Sequence, residues 1–251
     1  MKKLALFFAV MLPYLANSQV VNIERKRLNA DTTGTFGNIK SSVSLIKNTK
    51  TLWNVTLSYN VLVVRDKHEW YFIGNLAFKK AENTDLVNKG YEHIRYNYRL
   101  TQGYRLYAEV FEQMQFDAIR KIDKRILAGG AIRYVPVRRE KIKVSIGAGA
   151  MYEYEIFKDD TTGFNWVRIN SYLSVNYRVS KNVFFYSTTY YQPLPDAIKT
   201  NYRLFNNTGF SISVSNHFSF TVDYEIVYDS FLPEGIPNTV YFLKNGLSYK
   251  F

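Results

Sequence analysis

Three histidines and no cysteine limit what chemistry 251 residues can perform. Nucleophilic catalysis needs a serine in hydrogen-bond reach of an imidazole that a third group orients. His93 is the one candidate, since it falls in an alternating segment with Arg95, Asn97 and Arg99 on its own face, but no serine shares that segment. His68 and His217 fall in short turns, where an imidazole is ordinarily solvated. Asp159-Asp160-Thr161-Thr162 is oxygen-rich yet lacks the ordered spacing of a calcium loop. Thiolate metal sites are excluded without cysteine, and no glycine motif that cradles phosphate precedes a helix. The reading is therefore no catalytic residue, no metal, no cofactor and no enzyme.

The charged residues are more informative. Arg95, Arg99, Arg105, Arg125 and Arg133 fall on three consecutive alternating segments, with Glu109 among them, and all share the polar face. Asp223, Glu225 and Asp229 lie on the polar face of a much later segment. If these faces enclose a lumen, the arginines and Glu109 line one side and the three late acids the other. An open lumen would then carry a transverse field that filters polar and charged solutes. Alternatively the side chains meet in the middle and plug it with ion pairs, because enclosed charges must be paired. The sequence leaves both open.

The elements that must position these groups read in twos. Trp53, Val55, Leu57, Tyr59, Val61 and Val63 alternate with Asn54, Thr56, Ser58 and Asn60. Ile142 to Tyr152 and Phe218 to Tyr228 repeat the pattern, which marks strands with one apolar and one polar face. Aromatics make up 17% of the chain, a composition suited to strands. Beyond the N-terminal segment no run of apolar residues is long enough for a membrane helix. Strands are predicted near 35–46, 53–64, 69–79, 91–100, 104–116, 125–135, 142–155, 166–178, 183–192, 202–214, 218–229 and 239–251. Short connections alternate with longer ones at 80–90, 117–124, 156–165, 193–201 and 230–238. The fold expected is all-β: a single closed antiparallel transmembrane β-barrel of about 12 strands, with short periplasmic turns and longer outer loops. Trp53, Trp70, Tyr152, Tyr202, Tyr228 and Tyr249 would form its interfacial girdles.

Met1-Lys2-Lys3, the apolar stretch Leu4 to Leu15 and Ala16-Asn17-Ser18 read as a signal peptide over 1–18, cleaved before Gln19. Residues 19–33 would be a periplasmic lead, a plug or a seam strand, and 34–251 the barrel. The formal net charge of +12 is spread over strands, turns and loops, so no nucleic-acid partner is expected. Lys79, Lys80, Lys89, Arg120, Lys121 and Lys124 are placed in outer loops, solvated or near the phosphates of outer-membrane lipids and lipopolysaccharide. The ending Leu247-Ser248-Tyr249-Lys250-Phe251 looks like the C-terminal sorting signal that barrel-assembly machinery reads in bacterial outer-membrane proteins, with Tyr249 and Phe251 as its aromatics. The sequence carries no signal for oligomeric state.

Three stretches resemble the YdiY-like family of salt-induced outer-membrane proteins, domain-of-unknown-function family 481. They are Thr33 to Asn38 (TGTFGN), Arg125 to Tyr134 (RILAGGAIRY) and Gly147 to Glu153 (GAGAMYE). The resemblance implies an outer-membrane β-barrel of a Gram-negative bacterium and a tie to salt or osmotic stress, with no reaction to carry over. The function expected is a narrow pore for small polar or charged solutes or a structural envelope protein. The alternatives are a closed scaffold or adhesion barrel with partner-binding outer loops, or a lipid-acting enzyme.

Overall fold

In a computed structural model, residues 33–47, 51–82, 84–103, 105–158, 163–215 and 218–249 are described; the expected signal peptide over 1–18, residues 19–32, His217, Asp159-Asp160 and the terminal Phe251 lie outside them. Twelve antiparallel strands form one sheet in sequence order: β1 (Gly34–Lys47), β2 (Thr51–Arg65), β3 (His68–Ala81), β4 (Thr84–Arg99), β5 (Leu106–Asp117), β6 (Ile122–Arg138), β7 (Ile142–Phe157), β8 (Phe164–Arg178), β9 (Val183–Pro193), β10 (Tyr202–Ser213), β11 (Phe218–Asp229) and β12 (Thr239–Tyr249). No helix occurs among the described residues. Their lengths, from 11 residues in β9 to 17 in β6, meet or exceed the 9–11 that a tilted membrane strand needs.

Several strands run further than alternation alone suggests. The expected long connection at 80–90 shrinks to residues 82–83, because β3 and β4 keep pairing beyond a register shift at Lys79/Lys80. Likewise 117–124 shrinks to 118–121. In the first half the alternation reverses, since the connection at 100–105, expected to be short, is longer than those at 82–83 and 118–121. The expected longer connections persist at 158–163, 194–201 and 230–238, so the alternation holds for the second half of the sheet.

The sheet is inverted relative to a water-soluble protein, in which charged side chains are almost never fully buried. Arg125 is 1% exposed and Val110 is 54% exposed, and the same contrast repeats from strand to strand. Outward positions carry Met114, Ile132, Val167, Leu173, Phe210 and Leu243. Trp53 and Trp70 also face outward near strand ends, Tyr152 faces outward further inside β7, and Tyr202 stacks on Tyr228 at 5.2 Å.

Contacts across the inner face measure the curvature. Tyr172 on β8 donates to Glu109 on β5 at 3.1 Å, where a flat sheet would hold those strands about 14 Å apart. Arg125 on β6 lies 3.7 Å from Asp229 on β11, a separation of about 24 Å in a flat sheet. The sheet therefore curls around an interior, with β1 and β12 at its two ends.

Close backbone approach between β6 and β7 depends on glycine. A Cβ at Gly149 would lie 2.0 Å from the Gly130 carbonyl oxygen and 2.5 Å from Ala131 Cα. Backbone cannot swing aside as a side chain can, so this position admits no larger residue without parting the strands.

Candidate functional site

The interior is charged in two layers. The first lies toward the end of the sheet that carries the connections 118–121, 158–163, 194–201 and 230–238. Period two on β7 turns Glu153 and Glu155 inward, on the parity of Ser145 and Met151. Glu153 accepts from Arg203 Nη1 at 2.8 Å, faces Arg125 Nε at 3.2 Å, and pairs closely with Arg168 Nε. Arg125 also pairs with Glu155. Asp229, the last residue of β11, accepts from Arg203 Nε at 2.8 Å and Arg120 Nη2 at 3.3 Å. Four guanidiniums thus share three carboxylates, all almost wholly buried. Arg120 stands in the turn 118–121, where its removal from water, and then the neighbouring Arg125 charge, pull its guanidinium down to about 10.

The second layer lies toward the opposite end. Glu109 Oε2 accepts from Arg95 Nη1 at 3.0 Å and from the Tyr172 hydroxyl at 3.1 Å, while its Oε1 meets Arg133 Nε at 3.1 Å. Glu69 accepts from the Tyr71 hydroxyl and Asn97 Nδ2, each at 3.1 Å, and lies 3.7 Å from Arg133. The Arg133 guanidinium covers the Tyr107 ring at 3.8 Å, and Arg95 covers Phe111 at 5.0 Å. Apolar side chains fill further interior space: Phe111, Leu127 and Met151 in one cluster, Tyr172, Tyr190, Phe205 and Val227 in another.

Each expected site residue can now be placed. Arg95, Arg125, Arg133 and Glu109 are buried on the inner face, as are Asp223 and Asp229, whereas Glu225 is half-buried there. Arg99 is half-buried at the end of β4, against the Tyr107 phenol. Arg105 departs from expectation: β5 begins at Leu106, so Arg105 sits exposed in the turn at 100–105 instead of lining the interior. Tyr249 closes β12. The arginines of β4 and β6 do not face the β11 acids as one wall against another. They pair with carboxylates on nearby strands, and Arg125 also lies 3.7 Å from Asp229 on the far side; Asp223 takes the Tyr186 hydroxyl. Arg120 and Lys89, expected in outer loops, are buried, with Lys89 opposite Asp117 in the β4–β5 register.

Sequence reasoning missed Glu69, Glu153, Glu155, Arg168 and Arg203, although strict parity on β3, β7, β8 and β10 would have pointed all five inward. His93 stacks on Phe111 at 5.6 Å and meets Gln113 Oε1 at 3.1 Å. His68 contacts the Tyr96 hydroxyl at 2.6 Å. What this arrangement can do is brace neighbouring strands from within the curve of the sheet.

Among solved structures, one described as "NanC porin structure in rhombohedral crystal form" is similar over 86% of this chain and 98% of its own, at 10% identity and a TM-score of 0.48. No curated protein sequence matches the chain. The family model for proteins of unknown function, DUF481, matches residues 42–251, and the chain belongs to that family.

Proposed function

We propose that the chain is a non-enzymatic outer-membrane β-barrel whose lumen is shut by its own ion pairs, a structural envelope protein and not a constitutively open pore. The observation that carries this reading is the burial of Arg125, Arg168 and Arg203, each at most 2% exposed and each held by carboxylates from other strands. A guanidinium that water cannot reach lies on no aqueous path. Apolar side chains on the outer wall and charges within are stable together only where the surroundings are lipid. Lipid cannot satisfy a sheet edge, so β1 and β12 would pair to close the wall. The partners implied are outer-membrane lipids and lipopolysaccharide, together with barrel-assembly machinery during biogenesis.

A narrow pore is the second reading. Inner-face residues Asn54, Thr56 and Ser58 on β2 and Thr221 on β11 stay half-buried and polar, a strip beside the seam that the ion pairs do not cover. Solute-swelling of proteoliposomes separates the two. Vesicles carrying the refolded protein should swell in isosmotic glycine or arabinose no faster than protein-free vesicles, and swelling proportional to protein content would establish the pore. On gels, the unboiled protein should run faster than the boiled form; equal mobility would overturn the closed barrel itself.

A further inference from the structure

At the end of the sheet that carries the long connections, four aromatic rings converge. Phe157 closes β7, Phe164 and Trp166 open β8, and Phe231 follows β11. Phe164 and Trp166 each meet Phe231 edge-on, at 5.3 and 5.0 Å, and Phe157 lies 6.0 Å from Phe164. Phe157, Phe164 and Phe231 back a cavity of about 370 Å³, which Lys121, Lys158, Leu232, Pro233 and Glu234 complete. The backbones of the two lysines are adjacent, since the Lys158 N–H donates to the Lys121 carbonyl at 2.6 Å. Lys121 itself holds a left-handed backbone conformation, φ 56°, which side-chain-bearing residues rarely adopt and which clusters at ligand sites.

The charges here differ from those inside. Interior arginines are committed to carboxylates, whereas among the described residues neither Lys121 nor Lys158 is in an ion pair. Among the described residues that line the cavity, two lysines stand against one carboxylate, Glu234, which favours an anion, and the ring-lined back favours a flat apolar body. The volume suits a single-ring compound. We propose that this cavity binds a small organic anion, a carboxylate carried on a flat ring. The site lies beside the first ion-pair layer, since Lys121 follows Arg120 and the Phe231 backbone N–H donates to Asp229 Oδ1 at 3.3 Å. The inference rests on this local geometry and not on the lumen being shut, so the swelling result and the binding result are separate.

Trp166 supplies the readout. The chain has three tryptophans, and Trp53→Phe/Trp70→Phe leaves Trp166, which packs on two of the rings that back the cavity. In that background, benzoate at constant ionic strength should give a saturable change in emission, while benzyl alcohol over the same concentrations should not. Lys121→Ala/Lys158→Ala should weaken the benzoate response about tenfold, the combined effect expected of two partly exposed charge contacts. Glu234→Gln should strengthen it. If the double variant fails to fold, Lys158→Gln, at an exposed position, should give about a threefold weakening instead. An unsaturable response to benzoate, equal binding of benzyl alcohol, or lysine variants that bind like the parent would each overturn the proposal.

Discussion

Glu153→Gln removes the charge at which three guanidiniums meet. The Glu153 carboxylate is wholly buried and holds Arg203 at 2.8 Å and Arg125 at 3.2 Å, with Arg168 closer still. After the substitution, Arg120, Arg125, Arg168 and Arg203 share only Glu155 and Asp229. Breaking a buried pair from one side costs about 3–5 kcal/mol, because the remaining charge stays desolvated without its counterion. The glutamine keeps one carbonyl oxygen as an acceptor, so the expected loss is near the lower bound, about 3 kcal/mol or two decades in the folded-to-unfolded ratio. Urea unfolding of the refolded protein in lipid vesicles, followed by tryptophan fluorescence, would show a lower midpoint at an unchanged slope. Glu153→Gln/Arg168→Met also removes one cation and should recover about 1 kcal/mol, a non-additivity that marks direct coupling. Glu140→Gln, at an exposed position in the turn at 139–141, is the control and should shift stability by less than about 0.5 kcal/mol. A loss below about 1 kcal/mol for Glu153→Gln is the scale of a solvent-exposed pair and would refute the buried-network reasoning.

Other positions give independent checks. Glu112 points outward from the middle of β5 among Val110 and Met114, so Glu112→Leu should stabilise the protein in vesicles by about 1–2 kcal/mol; destabilisation in the same unfolding assay would mean that this face does not meet lipid. Gly149→Ala forces a Cβ against β6 backbone and should cost about 2–3 kcal/mol, read as a lowered urea midpoint. Gly103→Ala meets open space at φ 83° and should cost only about 1 kcal/mol by the same measurement.

Much of the wall was legible because a strand has a rigid period. Once Ile142, Val144 and Ile146 are read as one face, Ser145 must take the other, and carrying that parity on to Glu153 and Glu155 would have exposed the first ion-pair layer. Partnership across the interior was not legible. Arg120 and Asp229 are 109 residues apart, and only the curvature of the sheet brings them together. Strand ends were hard to read where polar residues continue the pairing. Thr84 to Lys89 shows no apolar alternation, yet it pairs with β3 and places Lys89 opposite Asp117. Arg105 fails for the opposite reason: it has inward parity, but the strand that would enforce it starts one residue later. The aromatic-backed cavity depends on residues of a turn, two strand ends and the segment after β11, which no single periodic pattern links.

The claim that the charged interior shuts the lumen is tested most directly by single-channel recording from the refolded protein in a planar bilayer. The parent chain should pass no discrete current steps. Glu153→Ala/Arg168→Ala/Arg203→Ala removes the centre of the first layer while leaving two cations, Arg120 and Arg125, to balance Glu155 and Asp229, and it should open measurable steps. Steady, discrete conductance from the parent chain itself would contradict the account.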